Sequence, residues 1–175
     1  MSAAELAIVE ISLRVNGTSI ERAVTPRTLL ADFLREDLGL TGTKISCELQ
    51  VCGVCTVLVN DRPVSSCTFL AVDADGAHVR TVEGLAENGE PNPLQEAFVS
   101  HHALQCGFCT PGFLMMATAL IESAEAVDRH AVIEHLEGNI CRCTGYLPII
   151  DAVCEVAATC TRRLAATNGH GTSHP

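Results

Sequence analysis

The residues with chemistry to offer are cysteines, ten of them in a chain of 175. Cys106 and Cys109 form a C-x2-C pair, and Cys141 and Cys143 form a C-x1-C pair inside GNICRCTGY. Brought together by the segment between them, two such pairs make a four-thiolate site for a soft metal centre. Another set lies upstream, with Cys47, Cys52 and Cys55 at C-x4-C-x2-C spacing and Cys67 following. Eight of the ten cysteines thus fall into two four-ligand sets.

The upstream spacing is the one by which plant-type ferredoxins hold a 2Fe–2S cluster. Zinc is the rival, but structural zinc sites usually come as two tight knuckles, which the four-residue gap fits poorly. A Rieske centre needs two histidines, and none lies between Cys47 and Cys67. The downstream set leaves more open. C-x2-C with C-x1-C also suits zinc, and a C-x2-C at a helix N-terminus suits a redox dithiol whose thiol pKa the helix dipole lowers. The paired C-x1-C and the ferredoxin-like first half favour a second cluster.

Composition narrows the setting. Apolar residues at 47% can fill real cores, and aromatics at 3%, with no Trp, make those cores aliphatic. A net charge of −10 argues against nucleic acid, whose phosphates require Lys and Arg. The opening MSAAELAIVEISLRV has neither the basic region nor the apolar core of a signal peptide. The adjacent arginines, Arg162 and Arg163, stand near the other end. No apolar run reaches membrane-spanning length. The expectation is a reducing, cytoplasmic setting, in which closely spaced cysteines mean metal rather than a disulfide framework.

Positioning those thiols falls to two kinds of element. Residues 6–15 read as a strand ending at Asn16-Gly17, a hairpin signal, with Thr18 to Val24 returning. Pro26 and Thr28 open a helix through LLADFLRED, stopped by Gly39. The cysteine loop follows, with Gly42 and Gly53 supplying backbone freedom. Strands are then expected at Val54 to Val59, Pro63 to Ser66 and His78 to Thr81. EGLAENGEPNPLQ reads as a linker, and beyond it the pattern is helical: Leu94 to Ala103, a helix from Thr110-Pro111 apolar nearly all round, one capped by Asp128, and one from Pro148 to about Arg163. The fold class expected is α+β, with a β-grasp domain over residues 1–82, a helical-bundle domain over 83–165 and a disordered tail over 166–175.

The other candidates read as packing or surface. Cys154 and Cys160 suit buried positions in the last helix, His101 and His102 suit surface or capping roles, and Met115-Met116 suits a core. Gln105 is ambiguous. There is no Ser/His/Asp array, no phosphate loop and no paired-carboxylate site, so no catalytic residue is expected in this chain.

The motifs together are recognisable. TGTKISCELQVCGVCTVLVN, SSC at 65–67, LQCGFCTPG at 104–112 and GNICRCTGY at 138–146 resemble the iron–sulfur subunit of the xanthine oxidase family of molybdenum hydroxylases, in its bacterial three-subunit form. The resemblance spans about residues 6 to 165. It implies a plant-ferredoxin-like β-grasp followed by a four-helix bundle. It implies that Cys47, Cys52, Cys55 and Cys67 hold the 2Fe–2S cluster farther from molybdenum, and Cys106, Cys109, Cys141 and Cys143 the nearer one. Gln105 and Cys143 would sit against the pterin of a molybdopterin cofactor, in its cytosine dinucleotide form, bound by a large subunit. Electrons would leave through both clusters to FAD on a medium subunit, in a heterotrimer or a dimer of heterotrimers. Two departures from the family pattern stand beside the first set: Ser46 where Gly is usual, and Gln50 where Gly or another small residue is usual. The rivals are a free-standing two-cluster carrier and a ferredoxin domain with a zinc-stapled bundle.

Overall fold

The structure is a computed structural model that describes residues 7–86, 88–123 and 127–168, with side chains as far as Ala157. It is α+β, with a mixed sheet in the first half and helices in the second.

Strands β1 (Val9–Val15) and β2 (Thr18–Val24) pair antiparallel around Asn16 and Gly17, whose φ values of 48° and 83° belong to the left-handed region that a tight hairpin demands. Alternation along β1 buries Ile11, Leu13 and Val15. Strands β3 (Thr56–Val59), β4 (Arg62–Ser65) and β5 (His78–Arg80) complete a five-stranded sheet in the order β2-β1-β5-β3-β4. β5 runs parallel to β1 and antiparallel to β3. Pro63, which has no N–H to donate, lies on the edge strand β4, where sheets tolerate it.

The first helix begins later than expected. α1 spans Leu30–Asp32 and continues as a wider π-helical turn over Phe33–Asp37. Residues 28–30 are instead tied to a distant stretch: Leu30 N donates to Phe69 O (2.7 Å), and Ala71 N donates to Thr28 O (2.8 Å). Those long-range bonds hold Leu29 extended and override the local helix signal. Gly39, at φ +70°, ends the element as expected.

Four helices follow: α2 (Pro93–Ser100), α3 (Thr110–Ser123), α4 (Arg129–Leu136) and α5 (Leu147–Asn168). Asn92 and Gln95 form a reciprocal capping box on α2 (2.9 Å each way), and Asp128 caps α4 through Ala131 N (2.8 Å). α2 stops at Ser100 because the chain turns through His101 and His102, the latter at φ 52°. α5 continues to Asn168, three residues into the expected tail; residues 169–175 lie outside the described residues. Among the described residues no helix is long and apolar enough to cross a membrane.

There are two cores, and β3 serves both. Val57 and Val59 face the sheet core with Leu13, Phe33 and Val79, whereas Leu58, fully buried, belongs to the helical core with Phe98, Phe113, Met115 and Ile149. Arg80 on β5 adds a two-pronged ion pair to Glu122 on α3 (2.6 and 2.8 Å).

Candidate metal centres

The upstream cysteine loop folds by letting non-glycine residues adopt left-handed backbone. Glu48 (φ 53°) and Gln50 (φ 62°) do so alongside Gly53 (φ 69°). The position of Gln50 is therefore a strained one, at a cost of about 1–2 kcal/mol for a side chain. Gly42, expected to supply turn freedom, has a different task. A Cβ there would lie 2.5 Å from Val82 Cγ1, and its N–H donates to Glu83 Oε1 (2.8 Å), so the residue allows close approach rather than an unusual φ.

The winding of this loop aims three backbone N–H groups, from Leu49, Val51 and Cys52, at Cys47 Sγ, each at 3.4 Å. The N–H groups of Leu49 and Val51 lead in holding the Cys47 thiol down to about 6. Cys52, Cys55 and Cys67 are buried. Burial, reinforced by Cys67, pushes Cys55 up to about 11. Ser66 Oγ donates to Cys55 O (2.6 Å) and so clamps the turn that delivers Cys67.

The downstream set sits where three helices end. Cys106 and Cys109 precede α3, and Cys141 and Cys143 lie between α4 and α5. Cys106 and Cys143 are exposed, Cys109 is half-buried and Cys141 is buried. Burial tends to raise Cys141, but the Thr144 hydroxyl (3.1 Å) and the Thr144 amide (3.5 Å) outweigh it and hold that thiol below its ordinary value. Burial pushes Cys109 up to about 12. Tyr146 organises the turn: its hydroxyl accepts from Cys141 N (3.1 Å), and its ring meets Phe113 edge-on at 6.3 Å.

Within each set the thiols lie against one another. Cys47 contacts Cys52, and Cys55 contacts Cys67. Cys109 contacts Cys141, and Cys143 Sγ lies 3.6 Å from Cys106 Sγ. Among the described residues no three Cys, His, Asp or Glu side chains converge as one ion would require. A tetrahedral zinc ion draws four sulfurs about one point. A binuclear cluster takes two thiolates at each iron, and each set supplies four thiols.

The two sets adjoin. Ile140 N donates to Cys52 O (2.9 Å), and Asn139 Nδ2 donates to Gly53 O (3.0 Å). A Cβ on Gly112 would run into the Gly53 carbonyl oxygen and lie 2.9 Å from Val54 Cα. The sequence reading quoted GNICRCTGY but assigned Asn139 and Thr144 no task, and Gly112 likewise. The signal available was two hydrogen-bonding residues, Asn139 and Thr144, flanking the paired cysteines.

Gln105 is exposed beside Cys106, and the exposed apolar side chains of Leu104, Phe108, Ile140 and Leu147 flank the same cysteines along the chain. Cys154 is half-buried against the helical core; Cys160 lies outside the described side chains. His101 terminates α2 and pairs with Glu155 (2.6 Å). Met115 is core, and Met116 packs against it.

Comparison with known proteins finds two family models. Residues 13–86 match the family model of a 2Fe–2S iron–sulfur cluster binding domain, and residues 81–154 match that of a 2Fe–2S binding domain. The nicotine 6-hydroxylase small subunit of Paenarthrobacter nicotinovorans is 54% identical over 83% of this chain and 87% of its own length. The caffeine dehydrogenase subunit gamma of Pseudomonas sp. (strain CBB1) is 51% identical over 85% of this chain and 91% of its own. Among solved structures, a chain of quinoline 2-oxidoreductase from Pseudomonas putida 86 superposes with a TM-score of 0.85 at 50% identity, covering 89% of this chain and 97% of that one. Aldehyde oxidoreductase from Desulfovibrio gigas superposes at 0.84 and 37% identity over 94% of this chain, but only 18% of that longer one.

Proposed function

The chain belongs to the small 2Fe–2S subunits of the xanthine oxidase family of molybdenum hydroxylases, and from that premise we propose that it carries electrons singly from a molybdenum–pterin centre on a large subunit to FAD on a medium subunit. Its relatives are subunits of oxidoreductase complexes, and in this reading the chain serves such a complex without a catalytic residue of its own. In this reading Cys47, Cys52, Cys55 and Cys67 hold one cluster, and Cys106, Cys109, Cys141 and Cys143 hold the other. The two clusters, when bound, supply two one-electron stations, so that a substrate's electron pair leaves in single steps.

The observation that carries the proposal is that the four thiols of each set lie against one another within the span of a matching 2Fe–2S family model. The residues of the chain do the rest. Backbone N–H groups aimed at Cys47 and the Thr144 hydroxyl aimed at Cys141 stabilise negative charge on sulfur, which tunes a cluster's potential. Exposure of Cys106, Cys143 and Gln105, with exposed apolar side chains beside them along the chain, supports a docking face for the large subunit there, with Gln105 and Cys143 against the pterin. We take that pterin to be the cytosine dinucleotide form and the assembly to be a heterotrimer or a dimer of heterotrimers. The helical half is read as a four-helix bundle, with the boundary between the units near residues 82 and 83.

Iron and acid-labile sulfide per chain, with electron paramagnetic resonance of the dithionite-reduced protein, test the reading. Four iron, four sulfide and two distinct rhombic signals are expected. Two iron, one signal and bound zinc would leave a ferredoxin domain with a zinc-stapled bundle.

A further inference from the structure

An open cleft of about 490 Å³ lies between α2, α3 and α5, lined by no cysteine of either set. On α3 it is lined by Thr118, which stands roughly 12 Å along the helix from its start beside Cys109. Leu94 and Ala97 of α2, Ile121 of α3 and Val156 of α5 give the cleft an apolar bed. An apolar cleft of that size is in the range that takes one small molecule.

Every charged side chain among the described residues that line it is acidic: Glu96 from α2, Glu122 from α3 and Glu155 from α5. Arg80 already holds Glu122, and His101 holds Glu155. Glu96 has no ion-pair partner among the described residues. An acid in the first turn of a helix is ordinary, because the helix dipole favours it. Thr118 has no such explanation. It is 6% exposed, and its hydroxyl oxygen has no hydrogen-bond partner among the described residues. A threonine within a helix can return its hydroxyl to the carbonyl one turn back, and this one does not. A valine would fill the same volume and leave no polar atom unpaired. A hydroxyl in the wall of an acidic cleft therefore points to a hydrogen-bond donor from outside the chain.

We propose that this cleft binds a small organic cation, an ammonium group carried on an apolar body. The body lies on Leu94, Ala97, Ile121 and Val156, while the ammonium donates to the Thr118 hydroxyl oxygen and faces the Glu96 carboxylate. Charge selects the ligand: three carboxylates repel an anion, and a neutral molecule forgoes their attraction. The electron-transfer reading uses none of these residues and is untouched by the outcome. Because the ligand binds the folded helices alone, occupancy also stabilises them.

The full chain, purified with its iron, is titrated with phenethylammonium and with the neutral phenethyl alcohol, by calorimetry and by thermal unfolding. Expected is one-to-one binding of the cation, severalfold tighter than that of the alcohol, with an unfolding temperature that climbs with cation concentration. Glu96→Gln and Thr118→Val should each weaken the cation severalfold. Thr118→Val should do so without loss of thermal stability in the absence of ligand, since it exchanges an unpaired hydroxyl for a methyl. Glu134→Gln, which removes an exposed acid on α4 outside the cleft, should bind as the parent does. If Thr118→Val does not fold, Glu96→Gln, at an exposed position, decides alone. No one-to-one binding, equal binding of the alcohol, or parental binding by Glu96→Gln overturns the proposal. Equal weakening in Glu134→Gln overturns it too, because the diffuse negative field of the chain would then account for the effect. A cleft that takes the cation in the isolated chain but is closed to it in the assembled complex belongs to a partner subunit's side chain, which overturns the small-molecule site.

Discussion

Replacing Thr144 by Val should lower the reduction potential of the cluster that Cys106, Cys109, Cys141 and Cys143 are proposed to hold. The substitution keeps the shape of the side chain and removes one hydroxyl, whose oxygen lies 3.1 Å from Cys141 Sγ and 3.2 Å from Tyr146 N. The Thr144 amide, at 3.5 Å, stays in place. A hydrogen bond to a charged group contributes roughly 1.5–3 kcal/mol. Only the difference between the reduced and oxidised cluster moves a potential, because sulfur carries negative charge in both. Taking that difference as about a third of the bond leaves about 0.5–1 kcal/mol favouring the reduced form. For one electron, roughly 59 mV corresponds to roughly 1.4 kcal/mol. The potential should therefore fall by ~20–40 mV. A redox titration followed by electron paramagnetic resonance reads it, with the other cluster's signal as an internal reference that should not shift. A potential that rises, or two signals that shift equally, would refute the argument that this hydroxyl stabilises charge on Cys141.

Three further outcomes are expected. Leu58→Ala opens a hole in the helical core from the side of the sheet; urea unfolding should show a loss of about 2–5 kcal/mol, and a loss below ~1 kcal/mol would deny that β3 shares both cores. In the iron-free chain Cys47, held down to about 6, is a thiolate at neutral pH, whereas Cys55 and Cys109, at about 11 and about 12, remain protonated. Alkylation followed by mass spectrometry should mark Cys47 before Cys55 and Cys109, the advantage fading as pH falls through about 6; earlier labelling of Cys55 would contradict this. Asp128→Ala removes the cap of α4 and should cost about 1 kcal/mol in the same unfolding assay, with Asp128→Asn recovering most of it.

Much of the site was legible because thiol chemistry imposes spacing, and spacing is written along the chain. The hairpin at Asn16-Gly17 was legible for a similar reason, since its constraint is local. The start of α1 was not. Its local signal favours a helix from residue 26 or 28, and only the bonds to residues 69–71 show why Leu29 stays extended. Gly42 was assigned freedom of φ when it supplies space for Val82, because the crowding side chain is far away in sequence. The hub of Gly53, Gly112 and Asn139 was invisible for the same reason. Each residue is unremarkable alone, and only folding brings Asn139 within hydrogen-bond reach of Gly53 and Gly112 against the Gly53 carbonyl.

Because β3 lends Leu58 to the helices and Val57 and Val59 to the sheet, the two halves are not interchangeable modules. A gene fusion can attach further domains before or after the pair at little cost, but a joint cut between them separates a strand from half of its own interior. Recombination that exchanges the sheet unit for another must bring a side chain of matching volume at position 58, together with a glycine opposite Gly112. Any redesign of one half must therefore preserve the packing it shares with the other.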